Sequence, residues 1–168
     1  METLPAIPDS VIDMSSCFQQ CTNLQSVASI GNNVENMTRC FSDCKSLETA
    51  PAIPDSVTRM YYTFSDCTKL TNVPNIGQNV TTLTACFEGC TALETAPTIP
   101  ALVTDIDSCF KGCKKLQGTI RIDANPSRYT YCFSGAATDG TGLTVTGEST
   151  KLNEIIATGD KTKITKGQ

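Results

Sequence analysis

The sequence predicts an α/β solenoid, a stack of about six coils of 23 residues each, and three periodic features carry this prediction. Phenylalanine recurs every 23 residues, at Phe18, Phe41, Phe64, Phe87, Phe110 and Phe133. A cysteine precedes each of these rings except Phe64, which follows Thr63, and a second cysteine or an alanine comes four residues after the first small residue. A leucine three residues further on completes most units. A fixed period of this length is typical of stacked supersecondary units.

Each coil is predicted to contain a short helix of about three turns. In the first coil Val11, Met14, Cys17, Phe18 and Cys21 have the three- and four-residue spacing of a helix with one apolar face. The column before the valine is rich in Ser and Asn, which predicts N-caps. A glycine column at the other end predicts left-handed residues that close the helix, namely Gly89, Gly112 and Gly135.

The rest of each coil predicts a short strand, so the stack should have a parallel β-sheet on its concave side and the wider helices on its convex side. Leu24, Val27 and Ile30 are spaced by three residues, which indicates a short or bulged strand. A proline column inside this segment also limits hydrogen bonding between strands. The segment 119–122 lacks the proline and is predicted to form the most regular strand.

The period ends after Phe133, which predicts two regions: repeats over 1–136 and a small α/β capping unit over 137–168. Within this cap, residues 143–146 alternate like a strand. Leu152, Ile155 and Ile156 lie on one helical face, and 163–165 predict a final strand.

A second period of 46 residues lies beneath the first. The bends at 7–11 and 53–57 read Ile-Pro-Asp-Ser-Val, whereas those at 30–34 and 76–80 read Ile-Gly-Asn-Asn-Val and Ile-Gly-Gln-Asn-Val. Two alternating turn types at one bend indicate duplication of a two-coil block.

The repeat unit resembles a known family. The segment 86–93, Cys-Phe-Glu-Gly-Cys-Thr-Ala-Leu, is similar to the BspA-type leucine-rich repeats of bacterial surface proteins, and the likeness covers about residues 1–136. The resemblance implies a leucine-rich-repeat solenoid from a secreted or cell-surface protein. It also implies a non-catalytic scaffold for adhesion or protein binding, and it offers no catalytic residues.

The ten cysteines are predicted to be free, buried thiols that pack as small apolar groups. Equivalent cysteines in adjacent coils have parallel Cβ vectors, whereas a disulfide needs converging ones. Thiolates bind zinc, so the paired cysteines could form metal sites, but a zinc site is a closed set of four ligands. Thr63 and Ala136 replace cysteine within the repeat, so no metal and no cofactor are predicted.

Composition argues against several function classes. Histidine is absent, which removes the usual base of a catalytic dyad or triad. Glu2, Glu48 and Glu94 share a column, but at two coils apart they would be ~10 Å from each other, beyond a glycosidase pair. A net charge of −4 without a basic cluster predicts no nucleic-acid partner. No apolar run approaches the ~20 residues of a membrane span, so no membrane insertion is predicted.

The sequence therefore favours a non-enzymatic module of an exported bacterial protein that binds a protein or glycan ligand. A passive spacer that presents another domain is the alternative, and an enzyme is the weakest hypothesis. The candidate partner-binding residues on the concave side are small and polar: Glu48, Thr49, Asn72, Asn75, Glu94, Thr95, Thr98 and Arg121. Three candidates on the helix side are aromatic: Tyr61, Tyr62 and Tyr131. Without aromatic anchors, the concave side predicts a weak or multivalent contact.

The beginning of the chain carries a further expectation. Met1 occupies the leucine position of the repeat, so the chain begins inside a unit and is expected to be a fragment of a longer protein. The first coil lacks a polar cap, and its unpaired edge is expected to recruit another chain.

Overall fold

The computed structural model describes residues 2–167 as successive coils that pack on one another. We number coils 1 to 6 by their phenylalanines, from Phe18 to Phe133. The regular elements are short: β1 (Glu2–Leu4), β2 (Leu24–Val27), β3 (Gly118–Arg121), β4 (Leu143–Thr146), α1 (Leu152–Ile156) and β5 (Ile164–Lys166). Met1, to which the leucine position was assigned, lies outside the described residues.

All strand pairs are parallel. β1 pairs with β2 across a register shift between Glu2 and Thr3, and β3, β4 and β5 form a second sheet in that order. The prediction of a regular strand near 119–122 is confirmed by β3, and the strands and helix predicted between 143 and 165 are confirmed by β4, α1 and β5. In coils 3 to 5 the sheet side is reduced to single bridges, such as those joining Thr49, Asn72 and Thr95. A proline two residues after each of these positions cannot donate to a ladder, which keeps the strands short.

The predicted helix in each coil is wrong. Across residues 2–167 the single helix is α1, and the segment around each cysteine pair is built from tight turns. In coil 1 the amide of Cys17 donates to the carbonyl of Met14 at 3.2 Å, and Cys21 donates to Phe18 at 3.1 Å. The third residue of each turn is left-handed, with φ of 55° at Ser16 and 62° at Gln20. The glycine column does have positive φ, as predicted, but it closes turns rather than helices.

These turns are joined from coil to coil by a row of backbone hydrogen bonds, which we call the turn ladder. Alternate amides of one coil donate to carbonyls of the next, for example Ser16 to Thr38 at 2.9 Å and Phe18 to Cys40 at 3.0 Å. Both sides of the stack are therefore spaced by backbone hydrogen bonds. The predicted curvature assumed wider helices on one side, and it loses its physical basis without them.

The core is a column of layers, one for each coil. The six phenylalanine rings are stacked nearly parallel, with neighbouring centroids 5.4 to 5.8 Å apart. Every ring from Phe41 to Phe133 is fully buried, whereas Phe18 of coil 1 is half-buried and, within the described residues, stacks on Phe41 alone. Like side chains therefore lie on like side chains, which is the arrangement that the period predicted.

All ten cysteines are free, as predicted, but two of them are not buried. Cys17 and Cys21 belong to coil 1 and are exposed because one side of that coil is open; the other eight are buried. The second-column thiols also form hydrogen bonds: Cys67 donates to the carbonyl of Phe41 at 3.1 Å, and Cys90 donates to that of Phe64 at 3.0 Å. Thr63 donates to Met37 at 2.9 Å. The two columns thus hold small side chains, most of which also donate a hydrogen bond, and Ala136 is the member that cannot.

We expect only Cys17 and Cys21 to react rapidly with a water-soluble thiol reagent in the native protein. The other eight thiols are buried, so they should react only after unfolding. The reactive form of cysteine is the thiolate, and the reagent must have access to its sulfur. Mass spectrometry after a short labelling pulse would check this. Rapid labelling of Cys86 or Cys109 would contradict the described packing.

The bends between the turn ladder and the sheet side interlock in pairs. The predicted N-cap column has a different role, because Asn33 donates its side-chain amide to the carbonyl of Asp9 in the preceding coil at 2.9 Å. The Asp9 carboxylate in turn accepts the backbone amide of Asn32 at 2.7 Å. The same pair of contacts joins coil 4 to Asp55 of coil 3. The alternating bends are therefore complementary partners.

The glycine of each second bend is required by this contact. A Cβ on Gly77 would lie 2.2 Å from the carbonyl oxygen of Pro54, and one on Gly31 would lie 2.5 Å from that of Pro8. Neither approach is possible for a side chain, so the bends at Pro8 and Pro54 each require glycine in the following coil, whereas the bend at Pro100 is followed by Asp123.

Gly77→Ala is expected to destabilise the protein by roughly 2 to 3 kcal/mol, because backbone atoms must move to relieve the clash. Gly118→Ala is the control: Gly118 has φ of 78° but open space around its Cβ position, so only the left-handed penalty of about 1 to 2 kcal/mol applies. Urea unfolding would measure both. A smaller loss for Gly77→Ala than for Gly118→Ala would contradict the interlocked bend.

Candidate binding surface

The sheet side of coils 3 to 5 presents two rows of exposed polar side chains. Thr49, Asn72 and Thr95 form the first row and are joined by parallel bridges. Asn75 and Thr98 occupy the second row in successive coils, and Arg121 of β3 continues it. We call these six residues, with Glu48 and Glu94, the sheet-side surface. The structure thus brings together all eight candidates that the sequence placed on this side.

The polar atoms of this surface are largely unused by the protein itself. Among residues 2–167, the side chains of Thr49, Asn72, Asn75, Thr95 and Thr98 make no hydrogen bond to another protein group. A different row, on the bend side, contrasts with them: there Thr58, Thr81 and Thr104 each donate their hydroxyl to a carbonyl of the preceding coil at 3.1 to 3.2 Å. The hydroxyls of Thr49, Thr95 and Thr98 and the side-chain amides of Asn72 and Asn75 therefore remain available to an external partner.

The backbone holds these side chains at regular intervals. The backbone amide of Thr71 donates to the backbone carbonyl of Glu48 at 3.1 Å, and the amide of Glu94 donates to the carbonyl of Thr71 at 3.0 Å. The two glutamates therefore lie two coils apart with Thr71 between them. Both carboxylates are exposed. A repeated array of donors and acceptors on a fixed frame suits an extended polar ligand.

Arg121 differs from its neighbours because its charge is already paired. Its guanidinium lies 2.9 Å from the Asp123 carboxylate and 3.3 Å from that of Glu148. The hydrogen bond to Asp123 and the attraction of both acids raise the pKa of Arg121. This residue closes the sheet-side surface with a neutralised charge rather than a free cation.

The three candidate tyrosines lie on the turn ladder, away from the sheet-side surface. Tyr62 and Tyr131 precede the small residue of their turns and have positive φ, 53° and 57°. Tyr61 is 38% exposed and Tyr131 is 61% exposed, while the Arg39 guanidinium lies 5.3 Å from the ring centroid of Tyr62. The structure does not bring the tyrosines together, since Tyr131 belongs to a coil three units further on.

Sequence reasoning missed one charged cluster. Arg128 contacts the Asp107 carboxylate at 2.9 Å and that of Asp105 at 3.4 Å. Asp105 and Arg128 occupy one column in adjacent coils, which is the signal that a column-by-column comparison of charges would have found. Tyr129 beside this cluster packs against the hydrophobic core, and its hydroxyl donates to Glu154 of α1.

The described residues offer no set of ligands for a metal ion. Within 2–167, no three or more cysteine, aspartate or glutamate side chains are grouped as a metal site would require. Burial also raises the pKa of the Cys44 thiol to about 12, which disfavours the thiolate that metals bind.

The repeats of this chain match a known family model. The family model for the BspA type leucine-rich repeat region matches six copies over residues 5–117, more than half of the chain. The chain belongs to the BspA-type leucine-rich repeat family. No curated protein and no solved structure matched it.

Membership in the BspA-type family sets the coarse function. Repeats of this family form surface-associated binding or scaffold modules and are in general not catalytic. Across the described residues, no helix is long and apolar enough to span a bilayer. The chain is thus a repeat module whose polar sheet-side surface is its best candidate site.

Proposed function

We propose that this protein is a non-catalytic binding module of an exported bacterial protein, which mediates adhesion through its sheet-side surface. The ligand is a protein or a glycan that presents hydrogen-bonding groups along an extended face. The observation that carries the proposal is the contrast between two sets of polar side chains. The bend-side hydroxyls are bonded to the backbone, whereas five side chains of the sheet-side surface have no hydrogen-bond partner within the described residues, namely Thr49, Asn72, Asn75, Thr95 and Thr98.

The chemistry of the surface defines the kind of contact. Hydroxyl, amide and carboxylate groups can both donate to and accept from a polar ligand. The row contains no aromatic ring, so no single residue serves as a dominant anchor. Affinity should instead arise from several weak contacts along the repeat, and it should grow when ligand and protein are both multivalent.

The triple variant Thr49→Ala, Asn72→Ala, Thr95→Ala tests this function. Beads coated with the variant should adhere about tenfold less to cultured cells or to immobilised extracellular-matrix protein, because weak contacts multiply in a multivalent attachment. The triple variant Thr58→Ala, Thr81→Ala, Thr104→Ala is the control, because it removes three hydroxyls from the bend side, outside the proposed binding surface. Bead adhesion would be counted after washing under flow.

A passive spacer is the second candidate, favoured by the absence of aromatic anchors on the sheet side. It predicts that both triple variants and the unaltered protein behave alike. Equal adhesion by all three would therefore remove the binding proposal and leave the spacer.

A further inference from the structure

Charged and aromatic side chains are divided unevenly around the coils. We call the stretch that carries the turn ladder in each coil a turn segment, and the six segments are 13–23, 36–46, 59–69, 82–92, 105–115 and 128–138. Within residues 2–138 the turn segments contain eight of the nine lysines and arginines and all four tyrosines. The connecting segments contain one cation, Arg121, and seven acidic residues. The cationic and aromatic groups of the repeats are therefore concentrated away from the sheet-side surface.

Two arginines of the turn segments have no ion partner among the described residues. Arg128 is already paired, since its guanidinium lies 2.9 Å from the Asp107 carboxylate. Arg39 and Arg59 are exposed, and within residues 2–167 no carboxylate oxygen lies within 4.0 Å of either guanidinium. These two charges are therefore open to carboxylates of a partner.

Two tyrosines accompany these cations. The Arg39 guanidinium lies 5.3 Å from the ring centroid of Tyr62, over the ring. Stacking uses the flat face of a guanidinium and leaves the N–H groups at its edge free to bind a carboxylate. Arg59 and Tyr61 are both exposed and flank the buried Met60, so both point away from the core. Arg39, Arg59, Tyr61 and Tyr62 lie on coils 2 and 3, and we call them the arginine–tyrosine cluster.

The fold does not require the side chains of this cluster. Small polar residues occupy the same columns in other coils: Ser15 for Tyr61, Ser16 for Tyr62 and Arg39, and Thr82 for Arg59. Tyr62 also has a φ of 53°, a conformation that does not favour a bulky side chain. The ring of Tyr62 therefore contributes to the surface rather than to the formation of its turn.

We propose that the arginine–tyrosine cluster docks an acidic segment of another protein. Carboxylates are the bidentate partners of guanidinium groups, and tyrosine and arginine are the residue types most often found at the energetic centres of protein interfaces. Carboxylates of the segment pair with Arg39 and Arg59, and its apolar side chains pack on Tyr61 and Tyr62. This second binding site is separate from the sheet-side surface and does not depend on the function proposed for that surface.

Fluorescence anisotropy with a short labelled peptide, in which glutamates surround a single tyrosine, tests the proposal at low salt, where charge pairing is least screened. The unaltered protein should bind this peptide at least about tenfold more tightly than a matched peptide with glutamine in place of every glutamate. The double variant Arg39→Ser, Arg59→Thr should bind the glutamate peptide about tenfold more weakly, because both guanidinium contacts are lost.

The tyrosines are tested without a change in net charge. The double variant Tyr61→Ser, Tyr62→Ser should weaken binding of the glutamate peptide by about tenfold, because the packing surface is lost while both arginines remain. Each introduced residue occurs in the same column of another coil, so these variants should keep the fold, and urea unfolding would check this.

A matched control separates the cluster from the general charge of this side. The double variant Lys114→Thr, Lys115→Ser removes two exposed cations from the turn segment of coil 5, so it changes the net charge by the same amount as the arginine variant. It should bind the glutamate peptide like the unaltered protein. The sheet-side triple variant Thr49→Ala, Asn72→Ala, Thr95→Ala should also bind it normally, which keeps this test independent of the proposed function.

Four results would overturn the proposal. They are a failure of the unaltered protein to bind the glutamate peptide, equal binding of the two peptides, a loss in the lysine control equal to that in the arginine variant, and a loss in the sheet-side variant. Tighter binding of heparin than of the glutamate peptide, dependent on Arg39 and Arg59, would assign the cluster to an anionic glycan and would likewise overturn it.

Discussion

Raising the pH from about 7 to about 10 is expected to unfold the protein. Burial raises the pKa of the eight buried thiols far above the ordinary value for cysteine: Cys40, Cys44, Cys67, Cys86, Cys90, Cys109, Cys113 and Cys132. In the unfolded chain these thiols ionise near pH 8.5. The unfolded state therefore binds fewer protons than the folded state above that pH, and the free energy of unfolding falls as pH rises.

The size of this effect follows from the number of thiols. Each one removes about 1.4 kcal/mol from the free energy of unfolding per pH unit once it is ionised in the unfolded state. The eight thiols together remove roughly 11 kcal/mol per unit, which is comparable to the whole stability of a typical domain. The stabilisation is complete below about pH 8 and is lost progressively above about pH 9.

Urea unfolding in reductant at several pH values would measure the slope. Cys109→Thr is the matched control, because threonine already occupies the equivalent position at Thr63, where it keeps a hydrogen-bond donor and does not ionise in this range. The free energy of unfolding of the variant should fall with pH less steeply, by about one eighth of the slope. A free energy of unfolding that stays constant between pH 7 and 10 would show that the thiols are not buried as described.

Phe64→Ala is expected to cost about 3 to 5 kcal/mol of stability, because the ring is fully buried and a cavity would remain in its place. The ring lies between Phe41 and Phe87, at centroid distances of 5.5 and 5.8 Å, and the regular backbone ladder on both sides prevents the coils from closing the gap. Urea unfolding followed by circular dichroism would measure the loss.

The chain provides a matched control for this substitution. Phe18→Ala removes the same side chain from the same position of the repeat, but Phe18 is half-buried and has one ring neighbour, so we expect less than half the loss. Equal losses from the two substitutions would contradict the difference in burial between the two rings.

Much of the fold was accessible from the sequence because stacking repeats the same environment. The columns of phenylalanine, leucine and cysteine identified the core layers, and the absence of converging cysteines identified free thiols. The alternation in 143–146 and the apolar face of Leu152, Ile155 and Ile156 located β4 and α1. These signals depend on burial alone, and burial is what a hydrophobic pattern reports.

The helices were predicted wrongly for a physical reason. Two consecutive tight turns also bring Met14, Cys17, Phe18 and Cys21 to one side, so the three- and four-residue spacing cannot distinguish them from a helix. The distinguishing feature is positive φ at the third residue of each turn, but Ser, Gln, Arg, Asp and Tyr occupy most of these positions. Because glycine and asparagine usually mark such conformations, the sequence carried little warning.

The position of the candidate site was predictable from the sequence, but the ion pairing of its arginine was not. Column positions put Thr49, Asn72 and Thr95 on one surface, as the bridges now describe. The contact of Arg121 with Glu148 was not predictable, because it joins β3 to a segment outside the period. A contact between the repeats and the segment that follows them does not appear in the column pattern.

The interlocked bends also restrict how a gene for such a protein can lengthen. An extra proline-type coil inserted after coil 1 would place a side chain where Gly31 now leaves 2.5 Å to a carbonyl oxygen, whereas an inserted block of two coils would carry its own matching halves. Where the two bends alternate, the repeat region should therefore lengthen more readily by two-coil blocks of 46 residues than by single proline-type coils.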